Sequence, residues 1–175
     1  YNTGSSAGGL KQKIFFWALN LISKKKVISK PSGLQEIIAD KLVFSKWREG
    51  LGGNMITLVS GSAALSTKLN RSFHGAGIPI LEGYGLTETS PVIAVNSFER
   101  VKIGTVGHVL DNLDVKIQAD GEITVKGPSV FQGYYKDEEK TKEAFTEDGY
   151  FMTGDIGHID AEGFLHITDR KKEMF

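Results

Sequence analysis

The sequence predicts an α/β half followed by a β-rich half, and two observations carry that expectation. Between residues 55 and 81 a short β-branched run (MITLV), a helical pattern and a second apolar run (IPIL) follow one another within about 27 residues, the order of a βαβ unit with a parallel pair and a right-handed crossover. Beyond residue 92, short alternating runs are separated by Asp120-Gly121, Asp148-Gly149 and Glu162-Gly163, which are the turn pairs of antiparallel hairpins in a small barrel or sandwich.

The elements follow in order. Residues 1–9 are small, polar and rich in glycine and serine, the composition of a tail. Over 10–22, Leu10, Ile14, Ala18, Leu21 and Ile22 recur at helical spacing, with Phe15 and Trp17 widening the stripe. Ser32-Gly33 breaks the pattern. Residues 34–51 then read as a second helix with Ile37, Ile38, Leu42 and Trp47 on one side, stopped by Gly50, Gly52 and Gly53. The run 55–59 reads as a buried strand, and Leu65, Leu69 and Phe73 mark a third helix ended by Gly75-Ala76-Gly77. In the second half, residues 115–117, 123–125, 156–159 and 164–167 read as strands.

Charge and composition narrow the functional classes. The 175 residues hold 21 basic and 21 acidic side chains, yet residues 1–33 carry six lysines and no acid, leaving the remainder at −6. The nine-residue apolar run 14–22 is far short of the ~20 residues that span a bilayer, and Lys24-Lys25-Lys26 lies on the wrong side of it for a signal peptide. No cysteine is present, which removes disulfides, a thiolate nucleophile and Cys-type zinc sites. His74, His108, His158 and His166 show no metal-ligand spacing, and no Ser/His/Asp triad follows from spacing.

The chemistry-bearing stretch is Glu82-Gly83-Tyr84-Gly85-Leu86-Thr87-Glu88-Thr89-Ser90-Pro91. It is expected just past the carboxyl end of a parallel strand, where open α/β sheets place their crevices. Gly83 and Gly85 admit close backbone approach, Tyr84 offers an aromatic face, Thr87 and Thr89 offer hydroxyls and Glu88 offers a carboxylate, the parts of a phosphate and Mg²⁺ site. The stretch equally reads as a glycine-rich turn with capping threonines. Neither the dinucleotide-binding nor the Walker pattern fits it. The loop Ser60-Gly61-Ser62-Ala63-Ala64 is expected on the same sheet edge. Thr153-Gly154-Asp155 supplies a carboxylate suited to sugar hydroxyls, or an ordinary turn, and residues 168–173 are a charge run.

Taken together, SGSAAL (60–65), YGLTETSP (84–91), GYY (133–135), GYFMTGD (149–155) and DRKKEMF (169–175) stand in the order of the adenylate-forming superfamily, which the chain resembles over residues 10–175. EGYGLTETSPV, with LVFSKWREGLGG and GLKQKIFFWAL, is similar to its long-chain fatty acid CoA ligase branch. The resemblance implies a partial three-layer α/β subdomain over 10–95, a small antiparallel β-barrel-like subdomain over 96–168, and the start of a hinge at 169–175. It implies that Gly61, Ser62 and Ala63 with Glu82, Gly83, Tyr84 and Gly85 enclose adenine, Tyr84 stacking on the ring. Thr87 would bond the α-phosphate, Glu88 would hold Mg²⁺, Asp155 would accept from both ribose hydroxyls, Arg170 would reach ribose and phosphate, and Lys172 would be the hinge.

The implied reactants are ATP, a fatty acid and coenzyme A, with Mg²⁺; no nucleic-acid partner is expected. A cytoplasmic setting is expected, with the basic N-terminal helix a candidate for peripheral contact at the inner membrane surface. The oligomeric state stays open. The glycine- and Ser/Thr-rich phosphate loop and the C-terminal domain of the family are absent from these residues, so a fragment without activity of its own is expected. Another carboxylic acid, or a non-catalytic nucleotide-binding or interaction module on the same scaffold, are the alternative readings.

Overall fold

A computed structural model describes residues 8–23 and 33–171. The tri-lysine, most of the N-terminal tail and Lys172 lie outside them. The fold is mixed α/β, and the chain divides into two compact units, residues 1–59 with 65–80, and residues 60–64 with 81–175.

The first unit is helical around one apolar core. Helix α1 (Leu10–Ser23) buries Phe15, Ala18 and Ile22, positions three and four apart on one face. That face is rotated from the predicted stripe, for Leu10 is 73 % exposed. Gly75 explains the register: a β-carbon there would lie 2.5 Å from the Ile22 Cβ, so the bare glycine backbone seats Ile22.

The second predicted helix is three joined pieces, α2 (Leu34–Ala39), a π-helical segment (Asp40–Phe44) and α3 (Ser45–Gly50). The wider turn of a π segment shifts the helical phase. Ala39, Val43 and Phe44 enter the core while Ile37, Ile38 and Leu42 of the predicted face are exposed; of that face only Trp47 packs against the core. Arg48 fixes the phase with paired bonds to Asp40 (2.8 Å each) and a third to the Ala76 carbonyl (2.6 Å).

The strand–helix–strand order is observed as β1 (Leu58–Ser60), α4 (Thr67–Gly75) and β2 (Ile80–Gly85), with different bounds. Only the end of the 55–59 run is strand, and Ile56 and Val59 are exposed rather than buried. Helix α4 buries Asn70 and His74 and leaves Leu69 exposed. Burial of His74 is offset by its Nε2, 2.8 Å from the Ile80 carbonyl.

The second unit carries the β-rich half. Strand β2 pairs antiparallel with β3 (Val92–Val95), and β3 with β4 (His108–Val109). Strands β5 (Asp114–Ile117), β6 (Glu122–Lys126), β7 (Phe151–Ile159) and β8 (Leu165–Arg170) form an antiparallel meander. The Asp-Gly and Glu-Gly turns sit where the sequence places them, Gly121, Gly149 and Gly163 all having positive φ. Ile93 and Ala94 of β3 pack with Val125 and Ile123 of β6 in two adjoining apolar clusters.

Candidate functional site

The peptide Glu82-Gly83-Tyr84-Gly85 is the end of strand β2, not a loop beyond it. Two glycines and a glutamate weaken a strand signal, which is why the sequence favours a loop at this peptide. Gly85 owes its identity to the strand itself: a β-carbon there would lie 1.7 Å from the Pro91 carbonyl oxygen, at a bulge where pairing shifts after Tyr84. At Gly83 a β-carbon meets nothing closer than 3.5 Å, so packing leaves that glycine unexplained. The loop at Gly61, Ser62 and Ala63 is exposed. Gly61 adjoins the same strand, its β-carbon position lying 3.6 Å from the Gly83 carbonyl oxygen. Glu82 is buried, its carbonyl accepting the Asn96 N–H (2.9 Å).

After β2 the chain turns through a 3₁₀ segment, Thr87–Thr89. Thr89 is fully buried and ties this turn: its hydroxyl accepts the Leu86 N–H (3.0 Å) and donates to the Pro91 carbonyl (2.6 Å). Ser90 completes the reversal with a left-handed backbone, φ 60°. The tie leaves Thr87 exposed and presents Glu88 at a cleft. The Glu88 carbonyl accepts the Phe131 N–H (2.8 Å), and its carboxylate accepts the Tyr134 hydroxyl (3.1 Å). Among the described residues Glu88 has no cationic partner within salt-bridge distance.

Strand β7 supplies the other carboxylate. Phe151, Thr153, Asp155 and Gly157 alternate on its buried face, as period-two geometry requires. Arg170 of β8 stands directly opposite Asp155 in register and donates through Nε to Oδ1 (3.1 Å). Tyr84 donates its hydroxyl to Oδ2 (2.7 Å). Burial first, and the Asp155 carboxylate as well, push the Tyr84 phenol far above its ordinary pKa, so it remains a protonated donor. Each carboxylate oxygen has a second lone-pair direction, so Asp155 is oriented by its partners and still able to accept.

Glu88 and Arg170 line one cleft of about 650 Å³ with Glu122, Tyr134, Gly154 and Lys171, a volume in the usual range for small-molecule sites. Tyr84, Asp155 and Arg170 are thus brought into one hydrogen-bonded group, and Arg170 joins it to the cleft that holds Glu88. Tyr134, Glu122 and Lys171 were not anticipated. GYY marks the first, but Asp120-Gly121-Glu122 reads as a turn and Lys171 as part of a solvated charge run.

No group of three or more His, Cys, Asp or Glu side chains that could hold a metal ion occurs among the described residues. One carboxylate without a cationic partner suits Mg²⁺, which binds through one or two carboxylates and completes its shell with phosphate oxygens and water. Glu88 fits that pattern.

The second unit thus holds an oriented buried carboxylate beside a cleft with a second carboxylate, on a mixed α/β scaffold. The family described as "AMP-binding enzyme" matches residues 20–135, and the chain belongs to it. It is 50 % identical over 137 residues to the long-chain-fatty-acid–CoA ligase FadD15 of Mycobacterium bovis, covering 78 % of this chain and 23 % of that protein. It superposes on apo MatB from Rhodopseudomonas palustris with a TM-score of 0.65 and 33 % identity, over 89 % of this chain and 33 % of MatB. On the o-succinylbenzoate coenzyme A synthetase MenE of Bacillus subtilis, in complex with ATP and magnesium ion, the TM-score is 0.62 at 29 % identity, over 74 % and 31 %. The chain spans 23–30 % of the length of the curated relatives it matches. No helix of the described residues is long and apolar enough to cross a membrane, and α1 places its apolar face in the chain's own core.

Proposed function

We propose that this chain is the nucleotide-binding part of an ATP-dependent acid–thiol ligase acting on long-chain fatty acids. The observation that carries the reading is the oriented carboxylate of Asp155, clamped by Tyr84 and Arg170 beside the Glu88 cleft. In it, Asp155 accepts from both ribose hydroxyls and Arg170 reaches ribose and phosphate. Gly61, Ser62 and Ala63, with Glu82, Gly83, Tyr84 and Gly85, enclose the adenine, Tyr84 against the ring. Thr87 donates to the α-phosphate. Residues from 169 onward lead to a hinge at Lys172 and a further, mobile domain.

A fatty carboxylate is a poor acyl donor because its leaving group is an oxide. In the proposed reaction its oxygen attacks the α-phosphorus of ATP and pyrophosphate leaves. The thiol of coenzyme A then attacks the acyl carbon and AMP leaves. Such chemistry depends on holding reactants in line and on stabilising phosphate charge. Mg²⁺ bound at Glu88 would neutralise that charge, while the chain's own residues bind and orient the nucleotide.

The test is acid-dependent ATP–pyrophosphate exchange by the complete polypeptide that carries this chain. Exchange is expected with long-chain fatty acids. Exchange confined to short, aryl or amino acids would move the substrate to another class, and nucleotide binding without exchange would support a non-catalytic module.

A further inference from the structure

We propose that Glu122 and Lys171 are positioning residues that fix the ribose-binding carboxylate, an inference that rests on the function proposed above. The ladder between β6 and β7 pairs Glu122 with Ile156 and Thr124 with Met152. Over that span β6 advances two residues and β7 four, so β7 carries a two-residue bulge at Thr153 and Gly154. Bulges re-aim the side chain that follows and take backbone groups out of the ladder. Gly154 takes up the excess with a left-handed backbone, φ +73°.

The displaced Gly154 N–H needs an acceptor, and Glu122 Oε1 supplies it at 3.0 Å. Thr153 locks the other side, donating to the Ile123 carbonyl (2.8 Å) and accepting the Asp155 N–H (3.1 Å). Asp155 is therefore aimed by a bulge whose cap is the Glu122 carboxylate.

Glu122 is only 5 % exposed, and a buried carboxylate is costly without charge compensation. Lys171 provides it, with Nζ 2.7 Å from Glu122 Oε2 and 2.7 Å from Asp120 Oδ2. Asp120 is held in turn as acceptor of the Glu122 N–H (3.1 Å). Lys171 directly follows Arg170, so the same ion pair pins the residue that grips Asp155 from across the hairpin. One pair thus holds both sides of the ribose site.

The test compares ATP with 2′,3′-dideoxy-ATP as substrates of the complete polypeptide. Loss of a charged hydrogen bond's worth of orientation corresponds to about a tenfold change. In Lys171→Met and Glu122→Gln, KM for ATP is expected to rise about tenfold while KM for the dideoxy nucleotide stays put, collapsing the discrimination; Lys171→Arg is expected to restore it. Lys171 is exposed and lies one residue past β8, so its variant keeps the test open if Glu122→Gln fails to fold. Asp155→Asn serves as the reference. If it collapses the discrimination and the Lys171 variant does not, or if Lys171→Met raises both KM values equally, the positioning role is overturned alone. If Asp155→Asn leaves the discrimination intact, the ribose assignment falls and this inference with it.

Discussion

Replacing Glu88 with glutamine is expected to lower acid-dependent ATP–pyrophosphate exchange by the complete polypeptide about 100-fold or more, the scale of removing one preorganised charge-stabilising contact. The carboxylate is well placed to be sensitive. It faces the cleft on a turn tied by buried Thr89, and it accepts the neutral hydroxyl of Tyr134. Burial, with Glu88 beside it, raises the Tyr134 phenol's pKa, so Tyr134 donates without competing for a cation as an ammonium would. The loss should appear as a rightward shift of the Mg²⁺ titration, with Mn²⁺ binding followed by paramagnetic resonance weakened in parallel. Exchange reduced at every Mg²⁺ concentration by one constant factor, with Mn²⁺ binding unchanged, would remove Glu88 as the metal ligand.

The second large effect concerns folding. Gly85→Ala is expected to destabilise the protein by more than ~4 kcal/mol, a size reserved for overpacking or strain and a large share of a typical ~5–15 kcal/mol stability. The added methyl would meet the Pro91 carbonyl oxygen at 1.7 Å, its carbon at 2.7 Å and the Ile93 nitrogen at 2.9 Å, all backbone. No side-chain rotation relieves such a clash. Gly83→Ala, two residues earlier, finds only ordinary contacts with Val95 and Ala94; its melting temperature should stay near wild type, while AMP binding is expected to weaken because Gly83 is one of the residues proposed to enclose the adenine. Thermal unfolding followed by circular dichroism, with AMP titration of the Gly83 variant, separates the two glycines. Equal destabilisation by both would contradict the distinction.

The two parts of the chain differ in how far they could be read from sequence. Strands β5 to β8 were legible because alternation and Asp-Gly or Glu-Gly turns are local signals. Helix faces were not. Ile37, Ile38 and Leu42 are as apolar as residues that do enter cores, but the π segment and the Asp40–Arg48 pair turn Ala39, Val43 and Phe44 inward instead. At the site, residues 82–91 read in the sequence equally as a ligand site and as a glycine-rich turn with capping threonines; Thr89 ties the turn, and Gly85 in addition admits the close approach of the Pro91 carbonyl. Tyr84 and Asp155 are 71 residues apart, and no spacing argument joins them. The resemblance assigns both to one nucleotide site, Tyr84 to the ring and Asp155 to the ribose, without a bond between them; the Tyr84 hydroxyl bond to Asp155 comes from the fold. Glu122 and Lys171 escaped notice because a bulge is a property of pairing, invisible in either strand alone.

In the proposed function Asp155, held by Tyr84 and Arg170, binds the ribose of an adenine nucleotide. Isothermal titration of AMP into the complete polypeptide, wild type against Asp155→Asn, tests it most directly. Two hydrogen bonds to a charged acceptor are weakened by the change, and at ~1.5 kcal/mol or less for each the dissociation constant should rise about 10- to 100-fold with the melting temperature little altered. An AMP affinity unchanged in Asp155→Asn would remove Asp155 from the ribose site.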